Sequence, residues 1–126
     1  MAIGFRFRSL TVWRQAARLS QDLFGWADDL ERHHRYRFAE QLRSAALSIT
    51  NNLAEGSGSH SRREFAAFVN IARRSVFEVA NMIYLLNPES EIPSSPYVEW
   101  LQELEAISRQ LYSLRQSLLS QSDKPM

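Results

Sequence analysis

The segment from residue 41 to residue 78 restricts the fold more than any other part of the chain. It has the pattern of a helix, a short Gly/Ser turn over residues 56–60, and a second helix. Gly56 is expected to end the first helix with a positive φ, which glycine adopts at little cost. Ser61 is followed three residues later by Glu64, as in the capping box that opens a helix. The segment predicts an antiparallel helix pair and contains no catalytic motif.

Apolar side chains recur at helical spacing along four stretches of the chain. Ser9 is predicted to cap the first helix, and Asn87-Pro88 to end the third. Ser95 followed by Pro96 is typical of the start of a fourth helix. Similar lengths and short connections favour an all-α, up-down-up-down antiparallel four-helix bundle in a single domain. The predicted helices cover about 10–32, 37–55, 62–86 and 96–119, followed by a frayed tail over 121–126.

Composition excludes several classes of site. The chain has no cysteine, which excludes disulfides, thiolate nucleophiles and cysteine-ligated zinc. It has no run of 18 apolar residues, so no membrane span and no membrane partner are expected. The N-terminus carries arginines within its apolar stretch and lacks the pattern of a secretory signal, so a cytoplasmic location is expected.

Charge is distributed unevenly along a chain whose formal net charge is only +1. Residues 1–74 contain 12 arginines and 7 acidic residues, a net charge of +5, whereas residues 75–126 carry a net charge of −4. Of the 15 basic residues, 14 are arginine, the side chain better suited to planar contacts with phosphate and carboxylate. Two interpretations stay open: compositional bias with ordinary solvated helix faces, or a surface that binds a polyanion.

The candidate polyanion contacts lie in the turn and along the third helix. Two arginines in the first turn of a helix oppose its dipole, so their presence there hints at an anionic partner. A second arginine pair follows about three turns later, near the same angle around the helix. The alternative is that these arginines form salt bridges between subunits. The candidate residues are His60, Arg62, Arg63, Arg73 and Arg74.

A polar stripe follows the apolar stripe of the second helix. It suits either a buried, hydrogen-bonded contact with a neighbouring helix or a solvated face, and it comprises Gln41, Ser48, Asn52 and Glu55. Glu78 lies beside the apolar stripe of the third helix. The hypothesis is that Glu78 meets Arg43 or this polar stripe, which makes Arg43, Ser48, Asn52, Glu55 and Glu78 a candidate structural polar network.

No constellation for catalysis, metal binding or a cofactor is found in the sequence. His33 and His34 are adjacent and therefore point about 100° apart on a helix, so they cannot chelate one ion. The Glu-x-x-His motifs of di-iron bundles do not occur. The Gly/Ser turn lacks the Gly-Lys-Ser/Thr of a P-loop. The sequence therefore predicts no catalytic residue, no metal, no cofactor and no small-molecule substrate.

The central segment resembles a bacterial family of small proteins associated with 23S rRNA intervening sequences. The resemblance covers residues 10 to about 86. Arg74 stands where the family pattern has glycine, and Ser44 where it has a second arginine. The matching residues are LTVWRQA at 10–16, QLRSA at 41–45, SI at 48–49, NLAEG at 52–56, then Ser61, Glu64, Phe65, Phe68, Ile71, Ala72, Ser75 and Glu78.

The resemblance implies a four-helix bundle that assembles as a ring-like homopentamer. It implies no agreed activity, although RNA binding is often supposed, and a related branch partners a reverse transcriptase in diversity-generating retroelements. Three hypotheses stay open: a non-enzymatic oligomeric scaffold that binds RNA or a protein–RNA complex, a purely structural or protein-binding oligomer without a nucleic-acid role, and an enzyme. Of these, the sequence favours a non-enzymatic scaffold.

Overall fold

The protein is an up-down-up-down antiparallel four-helix bundle in the computed structural model, which describes residues 3–122. The helices are α1 (Thr11–Arg32), α2 (Tyr36–Ser57), α3 (Arg62–Leu86) and α4 (Pro96–Ser120). Short 3-10 helices at Arg6–Ser9 and Pro88–Glu91 precede α1 and join α3 to α4. The all-α bundle predicted from helical spacing is confirmed. Of the tail predicted to fray, residues 123–126 lie outside the described residues.

Each helix packs on its neighbours in sequence, and no Cα atoms of diagonally opposed helices lie within 8 Å of each other in the described residues. Leucine, isoleucine and valine from all four helices fill the core. Alanines at 39, 45 and 46 on α2 are almost fully buried, which allows close approach to the adjacent helices. The contact between α1 and α4 is the least extensive of the four, and the Gln110 side-chain amide donates to that of Gln15 across it.

Aromatic rings close one end of the boundary between α1 and α4. The ring centroids of Trp26 and Trp100 are 5.8 Å apart, and those of Tyr97 and Trp100 are 5.4 Å apart. Burial raises the pKa of Tyr97, and the nearby carboxylates of Glu89 and Asp29 raise it further. The edge-to-face and tilted arrangements are those that aromatic rings prefer.

The helix ends differ from the predicted ends at several points. Leu10, and not Ser9, is the N-cap of α1, and no side-chain cap bond is made there, because Ser9 belongs to the preceding 3-10 helix and its hydroxyl donates to the Arg6 carbonyl. The Ser61 hydroxyl accepts from the Glu64 N–H at 3.1 Å, which caps α3. The Ser95 hydroxyl caps α4 in the same way, accepting from the Tyr97 N–H at 3.1 Å.

The expected role of Gly56 was wrong. α2 continues through Gly56 to Ser57, and no glycine among the described residues has a positive φ. Glycine is needed at this point for space: a Cβ on Gly56 would lie 2.7 Å from the Phe68 Cβ and 2.8 Å from the Phe65 Cδ1. Among the described residues, a positive φ is found instead at His34, with φ of 65°, in the turn between α1 and α2.

Candidate nucleic-acid interface

Two of the predicted arginines lie on one open face of α3. Arg63 and Arg74 are eleven residues apart, close to three full helical turns, so both point in the same direction about 16 Å apart along the axis. Both side chains are exposed, and within residues 3–122 neither takes part in an ion pair. This face of α3 therefore carries two arginines without an ion-pair partner in the described part of the chain, and the exposed carboxylate of Glu78 lies four residues after Arg74.

The remaining candidates near the start of α3 lie close to Arg63. His60 is exposed in the turn between α2 and α3, and Arg62 is half-buried in the first turn of α3. The acidic residue of that first turn is Glu64. The structure thus places His60, Arg62 and Arg63 together at one end of α3, and Arg74 in the middle of the same helix.

Arg73 has a different environment from Arg74. Its Nε donates to the Ser108 carbonyl of α4 at 3.2 Å. Its guanidinium carbon lies 5.0 Å from the ring centroid of Phe77 and 5.5 Å from that of Tyr112. Sequence reasoning missed this aromatic cluster. The four-residue spacing of Arg73 and Phe77 could have predicted the contact between these two side chains. The contact between Arg73 and Tyr112 depends on the packing of α3 against α4.

The predicted polar network divides into two separate parts. The Arg43 guanidinium bonds to the Asp28 carboxylate at 2.6 Å and to the Glu31 carboxylate at 3.1 Å, both on α1. The hydrogen bond to Asp28, followed by that to Glu31, raises the pKa of Arg43. Arg43 therefore joins α2 to α1, whereas the hypothesis placed it against α3.

The second part joins α2 to α3 through small polar groups. The Ser75 hydroxyl donates to the Ser48 hydroxyl at 2.7 Å, and the Asn52 amide donates to the Ser48 carbonyl at 2.7 Å. The polar stripe at Ser48 and Asn52 thus faces α3 of the same chain. The side chains of Glu55 and Glu78 are exposed and make no hydrogen bond or ion pair in the described part of the chain, so the hypothesis that Glu78 joins this network was wrong. Ser75, one turn away, occupies the position that faces α2.

An arginine of the N-terminal segment closes the end of α2. The Arg6 guanidinium donates to the Ser57 carbonyl through Nε at 3.2 Å and through Nη2. A cation at a helix C-terminus satisfies free carbonyls and opposes the negative end of the dipole. Phe7 packs on Trp13 with a ring centroid separation of 5.0 Å, which holds the segment in place. Arg6 therefore has a structural role, because it caps the C-terminal end of α2.

Titratable groups do not gather into a metal centre in the described part of the chain, where no group of three or more His, Asp or Glu side chains could hold an ion. No helix within residues 3–122 is long and apolar enough to cross a membrane.

The family model described as 23S rRNA-intervening sequence protein matches residues 8–113, from the end of the N-terminal 3-10 helix well into α4. The chain belongs to this family. The resemblance read from the motifs in α1, α2 and α3 is thereby confirmed, and the match extends further along the chain than those motifs. No curated protein and no solved structure matches the chain.

Proposed function

We propose that this member of the family is a non-enzymatic, homo-oligomeric helical scaffold, a pentamer, that binds RNA or a protein–RNA complex. The observation that carries the proposal is the pair of exposed arginines, Arg63 and Arg74, which have no ion-pair partner within residues 3–122. Exposed arginines repeated along one helix face suit the phosphates of a nucleic-acid backbone.

Assembly would present this face several times. Exposed apolar side chains on α2 support an interface between copies of the chain: Phe38 and Leu47 are 40% and 45% exposed. Apolar groups in such positions are more stable when another surface covers them. A heterologous interface closes into a ring when its rotation allows it, and a ring would repeat the Arg63 and Arg74 face around its circumference.

A second candidate is a structural or protein-binding oligomer with no nucleic-acid role. The charge division along the chain favours it, because the first 74 residues carry a net charge of +5 and the remainder −4. In that case Arg63 and Arg74 would pair with carboxylates of a neighbouring subunit or of a protein partner. The arginines would then be shielded on assembly and would leave little charge for RNA.

Fluorescence anisotropy with labelled RNA across a salt series tests the proposal, on protein whose mass is fixed by light scattering. Binding should weaken as salt rises, because phosphate contacts release counterions. The double variant Arg63→Ala/Arg74→Ala should reduce the slope of log K against log salt by about 1.4 on a single strand, if each arginine contacts one phosphate.

The matched control is Arg18→Ala/Arg32→Ala on α1. These arginines are also exposed, but Arg18 pairs with Glu103 and Arg32 with Asp29. The control removes the same formal charge and should leave the salt slope nearly unchanged. Equal losses in the two double variants would show that net charge, and not the α3 face, governs binding. Absence of binding at low salt by an intact oligomer would favour the protein-binding alternative.

A further inference from the structure

The cluster formed by Arg73, Phe77 and Tyr112 lies on the surface where α3 meets α4. Phe77 and Tyr112 are 54% and 50% exposed, although the Arg73 guanidinium lies over both of their rings. Each ring therefore has aromatic surface that the protein does not cover. A phenylalanine exposed to this extent gains little from burial, so core packing does not account for its position.

The cluster is held in place before any ligand arrives. The Ser108 carbonyl accepts from Arg73 Nε, which fixes the guanidinium on α4, and the guanidinium in turn contacts a ring from each helix. No carboxylate pairs with Arg73 within residues 3–122. Its terminal N–H groups thus keep donors for an external acceptor, and cation–π contact of this kind favours a fixed ring orientation.

Positive charge accompanies the aromatic surface. Arg74 is adjacent to Arg73 in sequence and exposed, and Phe77 follows Arg74 by less than one helical turn. Arg63 lies on the same side of α3 as Arg74, about 16 Å away along the axis. The exposed surface of α3 and its boundary with α4 therefore offer flat rings for stacking and cations for phosphate within one continuous strip.

We infer that this strip binds a single-stranded segment of RNA, with unpaired bases stacked on Phe77 and Tyr112 and the phosphates contacted by Arg63 and Arg74. The inference rests on the proposed RNA-binding function and specifies which form of RNA is bound. Aromatic side chains stack on bases that have left the helical stack, as they do in single strands and loops, whereas paired bases in a duplex do not present their faces.

The test compares RNA binding by matched leucine variants of exposed aromatics. Tyr112→Leu and Phe77→Leu keep an apolar side chain and remove the ring. Tyr84→Leu is the control, since Tyr84 is also 54% exposed on α3 but has no arginine over its ring within residues 3–122. The probes are a fluorescent single-stranded RNA of about 12 nucleotides and a duplex of the same sequence. Oligomer mass and helix content are measured for every variant.

The wild type should bind the single strand more tightly than the duplex. Phe77→Leu and Tyr112→Leu should each weaken single-strand binding by about fivefold or more, with the salt slope unchanged because no phosphate contact is removed. Phe77→Tyr, which keeps an aromatic ring, should bind the single strand about as tightly as the wild type does. Tyr84→Leu should also bind as the wild type does.

Four results would overturn the inference. Equal affinity for strand and duplex, or unchanged binding by both ring variants, would leave the proposed function intact and remove the stacking role. A change of oligomer mass in the ring variants would identify the cluster as a subunit interface. Absence of RNA binding by the intact wild-type oligomer would overturn both the inference and the proposed function.

Discussion

Replacing Gly56 by alanine should destabilise the protein, although alanine is the better helix former. Gly56 lies within α2, so intrinsic propensity alone predicts a gain of about 1 kcal/mol. The added Cβ would lie 2.7 Å from the Phe68 Cβ and 2.8 Å from the Phe65 Cδ1. Favourable carbon contacts lie at about 3.5–4.0 Å, so α2 and α3 would have to separate by nearly 1 Å at this point.

The packing cost should exceed the gain from propensity. Phe65 is 5% exposed, and the Phe68 Cβ is attached directly to the α3 backbone, so neither group can move away easily. Overpacking of a core typically costs about 1–3 kcal/mol, and a contact this short belongs in the upper part of that range. The net loss of unfolding free energy should therefore be about 1–2 kcal/mol for Gly56→Ala.

Gly25→Ala provides the matched control. Gly25 also lies inside a helix, but a Cβ there would meet nothing within 4 Å. This variant should gain about 0.5–1 kcal/mol. Urea unfolding followed by circular dichroism, at one fixed protein concentration, measures both variants. Stabilisation by both substitutions, or destabilisation by both to the same extent, would refute the argument from close approach.

Other variants test single contacts. Ser61→Ala should lower the unfolding free energy by about 1 kcal/mol, because it removes the cap of α3; an unchanged urea midpoint would contradict this role. Ser75→Ala should lower the unfolding free energy by about 1 kcal/mol, since it leaves Ser48 without its donor from α3. Glu78→Gln, at an exposed position, should change the unfolding free energy by less than about 0.5 kcal/mol. The same urea titrations compare the two variants, and a larger loss for Glu78→Gln than for Ser75→Ala would show that Glu78 belongs to the network after all. His34→Val should lower the unfolding free energy, measured by thermal unfolding, by about 1–2 kcal/mol, because a β-branched residue disfavours the left-handed backbone at this position. His34→Ala is the control without a branched Cβ, and an equal loss in the two variants would show that the backbone conformation is not the cause.

The predictable part of the fold is the part that local rules govern. Ser61 and Ser95 cap α3 and α4 as their sequence context indicates, because an N-cap bond spans only two or three residues. Leu10 replaced Ser9 as the N-cap of α1 because the preceding residues form a 3-10 helix. Among the site residues, the common direction of Arg63 and Arg74 follows from helical geometry alone, whereas the contacts of Arg73 and Arg43 do not.

The sequence by itself determined the four helices, their order, the antiparallel bundle and the arginine pairs on α3, because helical periodicity and capping are encoded within a few residues. Tertiary structure decided which helix each polar side chain meets. Arg43 pairs with carboxylates of α1, Ser75 and not Glu78 bonds to Ser48, and the Tyr112 ring lies against Arg73. These choices depend on the rotation of each helix about its axis and on which helices are adjacent, and the packing of all four apolar stripes sets both together.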